Sequence, residues 1–127
     1  MPPLVYVMLG GAVGAGFRYQ ISAAALRNLG PGFPWGTWIV NLLGGFLMGI
    51  LAGMLVKQFT PDQGEPLRLL MGVGVLGGFT TFSTFSLEAA NMLIRGQVLM
   101  ATAYVVSSVA GSIMFLFIGL FLMRGLA

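Results

Sequence analysis

Gly77-Gly78-Phe79-Thr80-Thr81-Phe82-Ser83-Thr84-Phe85-Ser86-Leu87-Glu88 is a polar, twice-repeated Thr-Phe-Ser pattern lying inside an otherwise apolar segment of membrane length. That segment, 67–94, has 28 residues, and as one straight helix it would reach roughly 42 Å against a hydrocarbon core of about 30 Å. Something must shorten or tilt it. Gly77-Gly78 followed by two β-branched threonines is the weakest helical sequence in the segment, which points to a break at 77–80. The alternative is that the glycine pair only permits close helix packing and the excess length is taken up by tilt. A break at mid-membrane frees carbonyls and amides that lipid cannot satisfy, so it is tolerated only against protein, water or an ion. The expectation is therefore a buried discontinuity in the third of four spans.

Composition sets the surroundings of this stretch. Charged residues make up 7% of the 127, far below the quarter or so usual in soluble domains, so the chain is an integral membrane protein. It has no cysteine and no histidine, which excludes disulfides, thiolate or imidazole metal sites and His-dependent triads. With three acidic residues in all, acid–base chemistry has little to work with, and an enzyme is not expected. The six basic residues are scattered singly, giving neither a nucleic-acid surface nor a polybasic lipid cluster. Residues 1–26 lack the basic start of a signal peptide and are read as the first span.

The expected fold is one all-α membrane domain over 1–127, with spans at about 4–26, 36–56, 67–94 and 98–123. In the first span Arg18 lies eight residues inside Leu26, where it either snorkels to the surface or lines a wet vestibule. A Gly/Pro loop, 27–35, separates it from the second span, at whose start Trp35 and Trp38 suit the membrane interface. In the second span Thr37, Asn41, Gly45, Gly49 and Gly53 form one row at fourfold spacing, a close-packing pattern. Asn41 either bonds across to another helix or offers its amide donors to a passing species. Residues 57–66 read as a solvated turn, and Arg95-Gly96-Gln97 as a tight connection. In the fourth span Tyr104, Ser108 and Ser112 make one polar stripe. Single membrane serines often bond their own preceding turn, but three groups on one row are harder to explain that way.

Four spans put Lys57, Arg68 and Arg124 on one side and Arg18, Arg27 and Arg95 on the other. Three against three leaves no bias to set orientation, which predicts dual topology. Four short helices cannot wall a polar path from lipid alone, so an antiparallel homodimer is expected. The deep groups Asn41, Ser83, Thr84, Ser86, Tyr104, Ser108 and Ser112 are neutral and include no lysine, which suits a small anion that must also leave. Phe82 and Phe85 alternate with hydroxyls, and the positive ring edge can face an anion, although two phenylalanines also commonly face lipid or a neighbouring helix. Freed carbonyls at Gly77 and Thr80, doubled by a dimer axis, would alternatively hold a hard cation such as Na⁺.

The long third-span run, with Gly36-Thr37-Trp38-Ile39-Val40-Asn41-Leu42-Leu43-Gly44-Gly45 and Gly10-Gly11-Ala12-Val13-Gly14-Ala15-Gly16-Phe17-Arg18, resembles the bacterial fluoride channel family (Fluc, also called CrcB) over the whole chain. The resemblance implies an antiparallel dimer with two pores in the bacterial inner membrane, and passive, selective export of toxic fluoride. It makes Phe82 and Phe85 the rings along the fluoride path and Asn41 its amide donor, with Thr37, Ser83, Thr84, Tyr104, Ser108 and Ser112 along the polar track. It places Arg18 near a vestibule, Glu88 near the other end of the track, and a structural, untransported Na⁺ on the carbonyls of Gly77 and Thr80. The rival is a small dual-topology proton-coupled multidrug exporter, which needs a membrane-buried carboxylate. Only Glu88 lies within a span, and the first span has no acid. A non-transporting assembly subunit is the third reading.

Overall fold

The computed structural model describes residues 2–125, and every regular element among them is helical. Helix α1, Pro3–Leu29, opens on a proline, whose missing N–H costs nothing in a first turn. It stops at Gly30, whose φ of 80° turns its amide back onto the Leu26 carbonyl. Helix α2, Trp35–Gln58, comes after Pro34 and ends where Phe59 becomes extended.

The stretch 57–66 is not simply a solvated turn. Thr60 and Gln63 form a reciprocal capping box, each side chain bonded to the other's backbone at 3.2 Å, and start helix α3, Pro61–Leu67. The Thr-Pro-x-Gln pattern that does this is visible in the sequence and outweighs the Pro-Asp and Gly turn signals. Glu65 and Arg68, both exposed, pair at 2.7 Å. Lys57 reaches across to the last helix, donating at 2.6 Å to the Met123 carbonyl and also to that of Arg124.

From α3 the chain runs without interruption into a π-helical segment, Arg68–Leu76, and then helix α4, Gly77–Phe79. Gly72, Val73, Gly74 and Val75 are all weak α-formers, so local preference does little to enforce the tighter turn. Gly77 and Gly78 are themselves helical, and the chain departs from the helix later than the glycine pair suggests. Thr80 adopts φ −83° and ψ 162°, and helix α5, Ser83–Ile94, begins three residues on. The chain departs at the threonines, where the Thr80 hydroxyl bonds the Leu76 carbonyl and Asn41 takes up the Thr81 amide. Gly96, φ 78°, makes the turn into helix α6, Val98–Gly125.

Three stretches, Trp35–Gln58, Pro61–Ile94 and Val98–Gly125, are long and apolar enough to cross a membrane. Helix α1 matches them in length, but Arg18, Tyr19 and Gln20 dilute its second half. Outward-facing Val106, Ile113, Phe117 and Leu122 are exposed apolar side chains, as expected where the solvent is hydrocarbon.

Two close helix pairs carry the packing: α1 against the π segment, and α2 against α6. Both depend on missing side chains. A Cβ on Gly14 would enter the Val75 carbonyl, and one on Gly49 would enter the Leu116 carbonyl and meet the Leu120 amide at 3.0 Å. By contrast, a Cβ on Gly16 meets nothing within 4 Å. Gly49→Ala should therefore lower stability by about 1–3 kcal/mol, while Gly16→Ala should keep it or raise it by up to about 1 kcal/mol, as read by thermal unfolding in detergent.

Candidate functional site

Where the helix stops at Thr80, its backbone groups need new partners, and neighbouring side chains supply most of them. The Thr80 amide and hydroxyl both donate to the Leu76 carbonyl at 3.0 Å, finishing the last turn of α4. The next peptide is gripped from α2: the Thr81 amide donates to Asn41 Oδ1 at 3.0 Å, and Asn41 Nδ2 donates to the Thr81 carbonyl at 3.1 Å. A carboxamide copies a peptide's donor and acceptor, so Asn41 pairs with Thr81 much as an adjacent strand would. One Nδ2 hydrogen remains. From α1, Arg18 Nε donates to the Gly78 carbonyl at 3.1 Å. Asn41 thus bonds across to the backbone of the interruption between two helices. Arg18 is half-buried and turned toward the backbone of the interruption.

A cleft of about 400 Å³ opens beside this interruption, lined among others by Asn41, Gly77, Thr80, Phe82, Phe85, Ser108 and Ser112. Ser112 Oγ donates across to the Asn41 carbonyl at 3.1 Å, not to its own helix. Ser108 Oγ is buried and has no hydrogen-bond partner among the described residues. Phe85 is 7% exposed and Phe82 78% exposed, with ring centroids 5.9 Å apart. One ring thus belongs to the wall of the cleft, and the other projects from its rim.

A second cavity, about 300 Å³, lies toward the Gly/Pro loop and is lined by Arg18, Ser22, Thr37, Thr84 and Glu88 with neighbouring apolar groups. Tyr104 is fully buried and lines neither space, but it touches one lining residue of each. Its ring sits 5.0 Å from that of Phe85, and its hydroxyl donates to Glu88 Oε1 at 3.1 Å. Phe33, Trp38 and Met92 pack around this joint, and Trp38 Nε1 donates to Ser107 Oγ at 3.0 Å.

Of the residues picked from the sequence, Asn41, Phe82, Phe85, Ser108, Ser112, Gly77 and Thr80 share the first cleft, while Arg18, Thr37, Thr84 and Glu88 share the second cavity. Ser83 is exposed and lines neither, because it starts α5 on the outward side. Sequence reasoning passed over Thr81, whose Oγ1 accepts from the Thr84 amide at 3.2 Å. A Thr three residues ahead of an orphan helical amide is a readable capping signal.

The family profile described as "CrcB-like protein, Camphor Resistance (CrcB)" matches residues 5–120. The chain belongs to the CrcB family. Its relatives include a protein of Chelativorans sp. (strain BNC1), 51% identical over 123 residues and 97% of each chain. Another, from Phenylobacterium zucineum (strain HLK1), is 53% identical over 98% of this chain and 97% of its own. A third, from Novosphingobium aromaticivorans, is 46% identical over the full length of both. All three are named fluoride-specific ion channel FluC, a transport activity and not a catalytic one. This CrcB chain, with three helices of membrane-crossing character, is a multi-pass membrane protein.

Arg18→Met should strip the Gly78 carbonyl of its side-chain donor and reduce stability by about 1–3 kcal/mol. Arg18→Lys, which keeps a charged donor, should lose less when thermal unfolding of the two variants is compared.

Proposed function

We propose that this chain is a channel that passes fluoride down its gradient across the bacterial inner membrane, and so relieves fluoride toxicity. The observation that carries the reading is the lining of the first cleft. Neutral donors, the Asn41 amide and the Ser108 hydroxyl that has no partner among the described residues, line this cleft together with the rings of Phe82 and Phe85, and no basic side chain does. An anion stripped of water needs replacement donors, and a basic side chain among its direct ligands would hold it too long to conduct. Ring edges carry partial positive charge and offer a weaker stopping place. The names of the relatives point to the same ion.

In this reading an ion passes between the cleft and the cavity of Arg18, Thr37, Thr84 and Glu88 by way of Phe85 and Tyr104. The remaining Asn41 Nδ2 hydrogen and the Ser108 hydroxyl take the place of water, while Ser112, whose one proton goes to the Asn41 carbonyl, holds the wall of the cleft. Arg18 raises the local anion concentration, and Ser83 lies off the route. The working unit is an antiparallel homodimer of four-span chains. Its support is the balance of basic residues and the wide exposure of Phe82 beside an open cleft, an apolar ring that a second copy would cover. Residues 80–82 are then the mid-membrane interruption of the third span.

A Na⁺ on the carbonyls of Gly77 and Thr80 belongs to the same proposal. The donor set fits, because both residues line the cleft at the interruption, the chain offers neutral oxygens there, and it has no thiolate or imidazole. The ion would supply fixed positive charge at the centre of the dimer and would not itself move.

Liposomes loaded with fluoride test the reading. The unaltered protein should release fluoride and not chloride. Phe82→Ile and Asn41→Asp should each cut fluoride efflux by at least about a hundredfold, the loss of about 2.7 kcal/mol at the barrier, with the dimer intact by size exclusion. Undiminished flux in both variants would remove these side chains from the path. Cysteine crosslinking should capture pairs in opposite orientations, and only parallel pairs would rule out the antiparallel assembly.

A further inference from the structure

In an unbroken α-helix the Gly77 carbonyl would accept from the Thr81 amide, and the Thr80 carbonyl from the Thr84 amide. Neither amide is available here. The Thr81 amide donates to Asn41 Oδ1, and the Thr84 amide donates to Thr81 Oγ1. The two carbonyls thus lose their helical donors to two side chains, one on α2 and one within the interruption itself. The extended backbone of Thr80, ψ 162°, also turns its carbonyl out of the helical direction. Thr80 Oγ1 is occupied in turn, donating to the Leu76 carbonyl, so this hydroxyl does not compete for them.

We infer that Thr81 is a positioning residue for cation binding: through its hydroxyl, and through the peptide that Asn41 grips, it keeps the carbonyls of Gly77 and Thr80 open to a hard monovalent cation. The inference rests on the reading of Gly77 and Thr80 as a Na⁺ site. It adds a residue outside the ion's own ligands, one that lines the first cleft together with Gly77 and Thr80. It also ties the two functions together, since Asn41 faces the anion cleft with one amide hydrogen and holds the cation side with its oxygen and its other hydrogen. Without the Thr81 hydroxyl, the Thr84 amide is released and can return to a backbone carbonyl, extending α5 backward and closing the acceptor that the cation needs.

The test is a Na⁺ titration of the purified, full-length protein in detergent at constant ionic strength, with N-methylglucamine as the replacement cation and thermal unfolding as the readout. The unaltered protein should gain stability with Na⁺ along a saturating curve. Thr81→Val, nearly isosteric, should shift the half-saturating Na⁺ concentration upward by about tenfold, and Thr81→Ala, which adds no crowding, should do the same. Thr81→Ser should stay within about twofold of the unaltered protein, because it restores the acceptor. A merely structural role would lower all midpoints equally and leave the half-saturating concentration alone. If Val and Ala variants titrate at the unaltered concentration while the unaltered protein responds to Na⁺, Thr81 has no such role. If the unaltered protein shows no Na⁺ response at all, the cation site itself is wrong and this inference falls with it.

Discussion

Backbone polar groups that leave a helix inside an apolar surround must find partners from within the protein. An unmet peptide group costs several times what one neutral hydrogen bond contributes. The interruption at 80–82 exists on those terms. Asn41 from α2 and Arg18 from α1 each reach it with a group that can bond backbone, and Thr80 and Thr81 supply their own hydroxyls. Residues that would be read as pore-lining from the sequence are therefore also the scaffold of the site. Asn41 does both at once, since a carboxamide has enough donors to satisfy Thr81 and still present one to the cleft.

The glycine-dependent helix pairs make those reaches short enough. α2 lies against α6 with almost no side-chain spacer at Gly45 and Gly49, which brings the Asn41 carbonyl within 3.1 Å of Ser112 Oγ. α1 lies as close to the π segment, which holds Arg18 over Gly78. Gly44 adds a third approach, since a Cβ there would overlap the Thr80 methyl. Small residues on membrane helices usually serve close packing alone, and here that packing also sets the width of the cleft.

Much of this was legible in the residues. The row from Thr37 through Asn41 to Gly53 and the stripe from Tyr104 to Ser112 announced faces that do meet, because helical spacing survives whatever the tertiary contacts are. The position of the interruption was less legible. Helix propensity is weak from Gly77 to Thr80, but that the chain leaves the helix only at the last of these depends on Asn41, far away in sequence, which grips Thr81. The π geometry of Arg68–Leu76 left no pattern to read, since hydrophobic periodicity does not distinguish it from an α-helix over nine residues. The helix at Pro61–Leu67 was readable from Thr60 and Gln63 but was hidden behind louder turn residues.

That π segment has a bearing on how the chain tolerates changes in length. A turn closed from i to i+5 stores about one residue more than an α turn, so Arg68–Leu76 holds slack that the rest of the rod lacks. Removing one residue there can be absorbed by tightening to ordinary α geometry, leaving the register of Thr80, Phe82 and Phe85 unmoved. The same deletion in α5 would rotate Phe85 and Glu88 off their partners. Drift in chain length among descendants of this gene should thus collect ahead of the glycine pair and spare the residues beyond it.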